Sequence, residues 1–262
     1  MAKPTILFVP GSLTVPELYT SILDPVAEAG YEVKALHLPS VGHTSGQGGA
    51  CPPPSMYDDA AFIASQVRDL VDEGKDVIIF AHAYGGIPAT ESTKGLSKHE
   101  RQQQGKPGGV VRLAYIAALV PDLGENAMGL SARYQDERNQ AEMKHDENGW
   151  IGPVDIAASA KVVFSSLPLE KGIAWIQRLP RHSAASLMGV LTHPGYIDVP
   201  VSYLICEDDL VLPEKGQRHG IDVAKRESGR DVDVMSIRSD HCPMASAPQD
   251  VVRWMKDVLR KN

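Results

Sequence analysis

The sequence predicts an α/β protein: a mostly parallel sheet of about six strands, helices on both faces, and a cap inserted in the second half of the chain. Three observations carry this expectation. Short apolar runs alternate with longer segments of helical period. The strand-like runs are apolar throughout, as in a parallel sheet covered on both faces. One long segment, 122–197, breaks the rhythm.

In chain order, "TILFVP" (5–10) reads as a buried strand and "ELYTSILDPVAEAG" as a helix stopped by Gly30. "YEVKALHLP" (31–39) is the next strand, and "SVGHTSGQGGACPPPS" (40–55), dense in Gly and Pro, is loop. "MYDDAAFIASQVRDLVDEG" is a helix whose stripe is Ala60, Ile63, Val67, Leu70 and Val71. "DVIIF" is a strand, "GIPATEST" starts a helix, "SKHERQQQGKPGG" is a polar excursion, and "VVRLAYIAALVP" is another strand. "VPVSYLICEDD" and "VDVMSI" complete the strands, and "PQDVVRWMKDVLRK" is an amphipathic closing helix. The break in rhythm divides the chain into a core, residues 1–121 and 198–262, and a cap, residues 122–197. So long a stretch with no structure of its own would be unusual in a domain.

A chain of 262 residues suits one large domain, or a domain with a lid. The net charge of −7 argues against nucleic acid or an anionic membrane as partner, since both require clustered positive charge. No stretch approaches the roughly 20 apolar residues of a membrane span. The start, "MAKPTILFVPG", has neither the apolar run nor the cleavage site of a signal peptide. Cys51, Cys206 and Cys242 are widely spaced, so neither a disulfide framework nor a zinc site is expected. These readings point to a cytoplasmic protein without a metal.

Four stretches carry chemistry. In "FAHAYGG" (80–86) a strand enters a turn of small residues and leaves as a helix. This is the pattern of a nucleophile elbow, whose sharp turn tolerates only small neighbours. Its display position is Ala83, which has nothing to attack with; the N–H of Tyr84, next in line, can stabilise an oxyanion. "SDHCPM" (239–244) follows the last strand and offers His241 as a base. "YLICEDDLVLP" ends a strand in acids, either of which can accept the Nδ1–H of that histidine. "VPGSL" after the first strand offers the N–H of Ser12 or Leu13 as a second oxyanion donor. The order nucleophile, acid, histidine, each after a strand, is far more specific than any one of these stretches.

With these stretches in place the chain resembles the α/β-hydrolase fold family over nearly its whole length. It is most similar to the branch of small esterases and hydroxynitrile lyases related to plant methylesterases. The resemblance rests on "FVPGS", "AHAYGG", "VPVSYLICEDDLVLPEKGQ" and "SDHCPM". It aligns Asp209, rather than Asp208, as the triad acid and implies Ser12 as the oxyanion donor beside Tyr84. It also implies a serine where this chain has Ala83, and a histidine where it has Pro10. The lyase members would want a lysine near the catalytic histidine; "DHCPM" has none, which favours hydrolysis.

Three explanations of Ala83 compete: an engineered serine-to-alanine change made to trap a substrate or product, a natural pseudoenzyme that only binds, and a base mechanism using His241 and Asp209 alone. The elbow position is strained, at a cost of roughly 1–3 kcal/mol, and a lineage that had lost the chemistry would gain by placing Gly there. It would also have no reason to keep Asp209, His241 and the Gly85–Gly86 pair. The reading preferred is therefore a serine hydrolase inactivated at its nucleophile. Its expected partner is a small apolar or aromatic ester or lactone, with no cofactor and with a homodimer left open. Leu13, Trp150, Phe164, Trp175 and Met188 are the candidate pocket residues, with Met128, Leu130 and Leu187 as further apolar candidates. Cys242 is expected to be a buried, inert thiol, and His82 to be a packed residue of the elbow.

Overall fold

The computed structural model describes residues 3–261. In chain order its strands and α-helices are β1 (Thr5–Val9), α1 (Thr20–Ala27), β2 (Val33–Ala35), α2 (Met56–Asp72), β3 (Asp76–His82), α3 (Gly86–Glu91), α4 (Lys98–Gln103) and β4 (Gly109–Ile116). There follow α5 (Ala127–Tyr134), β5 (Met143–His145), β6 (Trp150–Pro153), α6 (Ile156–Val163), α7 (Leu169–Ile176) and β7 (His182–Ser183). The chain closes with β8 (Val201–Cys206), α8 (Glu214–Ser228), β9 (Asp233–Ile237), α9 (Pro243–Ser246) and α10 (Pro248–Arg260).

Six strands form one sheet in the order β2-β1-β3-β4-β8-β9, every pair parallel. Side chains alternate across it. Leu7, Val9, Val77, Ile79 and Ala81 face one core with Ile63 and Val67 of α2 and Ile87 of α3. Ile6, Phe8, Ile78 and Phe80 face the other, with Ile22 and Val26 of α1 and Val251, Trp254 and Val258 of α10. Both faces are thus covered, which is why these strands carry no polar alternation.

Three details differ from the sequence reading. The second strand is short: β2 pairs with β1 only from Val33 to Ala35, at the sheet edge. The polar excursion contains α4, started by a capping box in which Ser97 and Glu100 satisfy each other's main-chain N–H groups. The helix α8 was not anticipated, because the residues it buries include Gly216, Gln217 and Gly220 rather than an apolar stripe. A Cβ at Gly220 would lie 2.9 Å from that of Val120, so α8 approaches the sheet through missing side chains.

The segment between β4 and β8 adds no strand to the main sheet. Its β5, β6 and β7 form a small antiparallel sheet of their own. It is tied to the 40–47 loop by four main-chain hydrogen bonds: Gly42 N–H to Arg181 O (2.9 Å), Gly46 N–H to Leu179 O (2.9 Å), Arg181 N–H to Gln47 O (2.9 Å) and Ser183 N–H to Ser40 O (2.8 Å). Trp150 lies over the same loop, where a Cβ at Gly48 would come within 2.4 Å of the indole. Among the described residues no helix is long and apolar enough to cross a membrane.

Candidate active site

The strand β3 ends at His82, and the chain turns at Ala83 with φ of +48°, in the left-handed region that side chains rarely adopt. Two contacts enforce this turn. A Cβ at Gly85 would fall 2.4 Å from Pro10 O, and one at Gly86 would fall 2.5 Å from Leu119 O. The β1 loop approaches from the other side: a Cβ at Gly11 would meet Nδ1 of His82 at 2.9 Å and Cβ of Ala83 at 3.1 Å. The next residues, Ser12 and Leu13, line the same cavity as Ala83, and Leu13 also has a positive φ, +61°.

His241 sits between β9 and α9 with its Nδ1 2.7 Å from Oδ2 of Asp209, whose side chain is fully buried. The carboxylate is fixed by its other oxygen, which accepts the N–H groups of Val211 (2.8 Å) and Leu212 (2.9 Å). Gln217 of α8 closes the turn that carries Asp209. Its amide bonds both main-chain groups of Cys206 and the carbonyl of Leu212. Asp208, by contrast, is half-exposed and turned towards Arg238. Burial works to lower the His241 pKa, but the charge and hydrogen bond of Asp209, with Asp240 behind them, hold it above its ordinary value. Asp240 in turn accepts Ser166 N–H (2.9 Å) and the Ser246 hydroxyl (2.7 Å), anchoring the histidine loop to the chain after α6. Burial pushes the Cys242 thiol well above its normal range, which favours the protonated sulfur over the nucleophilic thiolate.

Ala83, Tyr84, Ser12, Leu13 and His241 all line one cavity of about 540 Å3. Phe164, Met128 and Leu187 line it too, whereas Trp150, Trp175, Met188 and Leu130 do not. Trp150 is buried on the 40–50 loop, with its indole N–H given to Ala50 O at 3.2 Å. Trp175 stacks against Phe164 with ring centroids 5.7 Å apart and has the Arg178 guanidinium over its face. Met188 is 60% exposed on the surface, and Leu130 is buried in the sheet-side core. The Tyr84 side chain is buried, and its hydroxyl donates to Asp59 Oδ2 at 2.7 Å. Asp59 also takes the N–H and hydroxyl of Ser40, and burial pushes its pKa up to about 6.

Sequence reasoning missed Tyr19 and Asp59 and used Gln217 only to align the acid, though each of the three holds a loop of the site in place. For Gln217 there was a signal, a polar residue on the helix after the acid; Tyr19 and Asp59 sit on ordinary helical positions and carry none. Among the described residues no lysine or arginine lines the cavity. Away from it, ligand atoms of Asp122, Glu125 and His219 converge within 4.8 Å, but Arg226 and Arg133 already pair with the two acids.

The description of the alpha/beta hydrolase family matches residues 6–254. A probable hydrolase from Phoma sp. is 31% identical over 261 residues, covering 97% of this chain and 99% of that protein. An alpha/beta hydrolase from Aspergillus novofumigatus is 30% identical over 258 residues, covering 98% and 97%. Among solved structures, a pyrethroid hydrolase from Sphingobium faniae superposes with a TM-score of 0.72 at 20% identity, covering 98% of this chain and 97% of that one. A methylesterase from Arabidopsis superposes with a TM-score of 0.72 at 16% identity, covering 99% and 100%.

Proposed function

The chain belongs to the alpha/beta hydrolase family, and from that premise we propose that its site is built for acyl transfer from a neutral, largely apolar carboxylic ester or lactone, with serine as the nucleophile at position 83. In this reading Ala83 leaves a chain that binds such molecules but does not turn them over, and residues 122–197 act as the lid that shapes the cavity. The observation that supports it most directly is the buried Asp209–His241 pair opening onto the same cavity as a strained elbow residue.

A serine Oγ at position 83 would attack the carbonyl carbon as His241 Nε2 takes its proton. The N–H groups of Tyr84 and Ser12 would hold the resulting oxyanion. Collapse would expel the alcohol oxygen, which takes the proton back from His241. Water, deprotonated by the same nitrogen, would then attack the acyl carbon and release the acid and the serine. The cavity falls within the roughly 300–1,000 Å3 of typical small-molecule sites. Its lack of a cationic lining group favours neutral substrates over carboxylate-bearing ones.

The test is the Ala83→Ser protein. It is expected to cleave p-nitrophenyl alkanoates and to be labelled by a serine-directed phosphonate, while the Ala83 chain does neither. Failure of the serine protein in both assays would overturn the hydrolase reading. Turnover by the Ala83 chain itself would instead point to base catalysis by His241 and Asp209.

A further inference from the structure

His82 is the residue immediately before the nucleophile position, and it is fully enclosed. Its Nε2 lies 2.7 Å from the main-chain carbonyl of His241. A carbonyl only accepts, so Nε2 carries the proton. Burial and the nearby His241 depress its pKa to about 3, so the ring is neutral and Nδ1 is an acceptor. That nitrogen lies 2.9 Å from the Tyr19 hydroxyl, which must therefore donate to it. The Tyr19 oxygen accepts Gly11 N–H at 3.0 Å. Thr14 Oγ1 lies 2.9 Å from the same oxygen and 2.7 Å from Gly11 O, closing the loop that carries Ser12.

One chain of hydrogen bonds thus runs from the Gly11 loop through Tyr19 and His82 to the backbone of His241. We propose that His82 is a positioning residue: it clamps the main chain of His241 through Nε2 and the Ser12 loop through Nδ1 and Tyr19, so that base, elbow and oxyanion donors hold one fixed geometry. The His82 chain ties each to the end of β3, a strand buried from Val77 to His82. The inference rests on the hydrolase reading for its catalytic consequence, but not for its structural one.

The groups facing His241 are Asp209 at its Nδ1, Asp240 beside it, and His82 with ring centroids 5.1 Å away. Loosening the clamp lets the imidazole drift from Asp209, and His241 then loses what keeps its pKa raised. In the Ala83→Ser protein, His82→Phe is expected to lower kcat roughly 10-fold or more with KM changed less than about two-fold. The acid limb of kcat/KM should move to lower pH. His82→Gln, whose amide N–H can reach the His241 carbonyl, should restore the limb and most of kcat. Tyr19→Phe, which cuts only the Gly11 arm, should lower kcat without moving the limb.

The same titration is to be read by NMR from the His241 Hε1 signal in the Ala83 chain, with and without His82→Phe and His82→Gln. A fall in pKa with Phe and its return with Gln supports the clamp. An unchanged His241 titration in His82→Phe overturns it, as does a Gln variant no better than Phe. If the Ala83→Ser protein is inactive, the hydrolase reading fails and the NMR titration still decides the role of His82. If His82→Phe does not fold, a His82→Gln protein with a lowered His241 pKa overturns the clamp and one with the parental value supports it.

Discussion

Asp209 Oδ2 stands 2.7 Å from His241 Nδ1, and the carboxylate that makes this contact is wholly enclosed. Its remaining oxygen is occupied by two main-chain N–H groups, so it cannot swing away. In the Ala83→Ser protein, Asp209→Asn keeps this shape but offers an amide where the imidazole needs an acceptor. We expect kcat to fall by about 10^3-fold or more with the fold intact, and His241 to titrate at lower pH. Steady-state kinetics and histidine NMR check both.

Ala83 adopts φ of +48°. The Ala83→Gly protein should therefore be more stable by about 1 kcal/mol, since glycine meets this conformation without strain. That corresponds to a rise of about 2–4 °C in Tm. Ala83→Ser should leave Tm nearly unchanged. Scanning calorimetry checks the order, and a Gly variant less stable than the parent would contradict the strained turn.

Acid should destabilise the fold from about pH 6.5 downwards, where two buried histidines resist protonation. Burial depresses both His82 and His182 to about 3, against an ordinary value of 6.5. Between those values the unfolded chain binds more protons than the folded one, so stability falls as pH falls, by up to about 1.4 kcal/mol per unit for each group. Asp59, pushed up from 3.8 to about 6, opposes this inside its own window, because there the folded state holds the extra proton. His241 acts only above 6.5, where the stability from its raised pKa is lost with rising pH. Asp240, also raised by burial, opposes the acid loss in the same way as Asp59, but the two histidine windows are each wider than that of Asp59 and leave a net loss towards acid. Urea midpoints from pH 7 to 4 should show it, and His182→Phe should flatten the slope.

Trp150 is a prop for the 40–50 loop, not a wall of the cavity. Trp150→Ala should cost about 3–5 kcal/mol in a urea titration. Trp150→Phe in the Ala83→Ser protein should leave KM for p-nitrophenyl esters within about two-fold of the parent.

The parallel sheet was legible because buried strands declare themselves as unbroken apolar runs, as in "TILFVP" and "DVIIF". The elbow was legible because a sharp turn admits so few residue types: Gly85 and Gly86 each face a carbonyl oxygen with no space for a methyl group. What escaped was whatever depends on contacts between distant residues. The first half of helix α8 packs through Gly216, Gln217 and Gly220 and only its second half buries apolar side chains, Val223 and Ala224, so its apolar periodicity is short. The pocket was harder still, because large apolar residues in the segment after β4 serve its own packing as readily as a ligand. Phe164 reaches the cavity, while Trp150, Trp175 and Met188 are spent elsewhere.

The four main-chain bonds between the 40–47 loop and residues 179–183 bear on how molecules come and go. That flank is stitched shut, and opening it would break all four together and lift Trp150 from its glycines. The opposite flank, formed by Met128, Ala132, Gln140 and Glu142, borders the cavity with side chains that already meet water. Ligand traffic is therefore expected to run past α5 and the approach to β5, as through the open side of a purse sewn along the other.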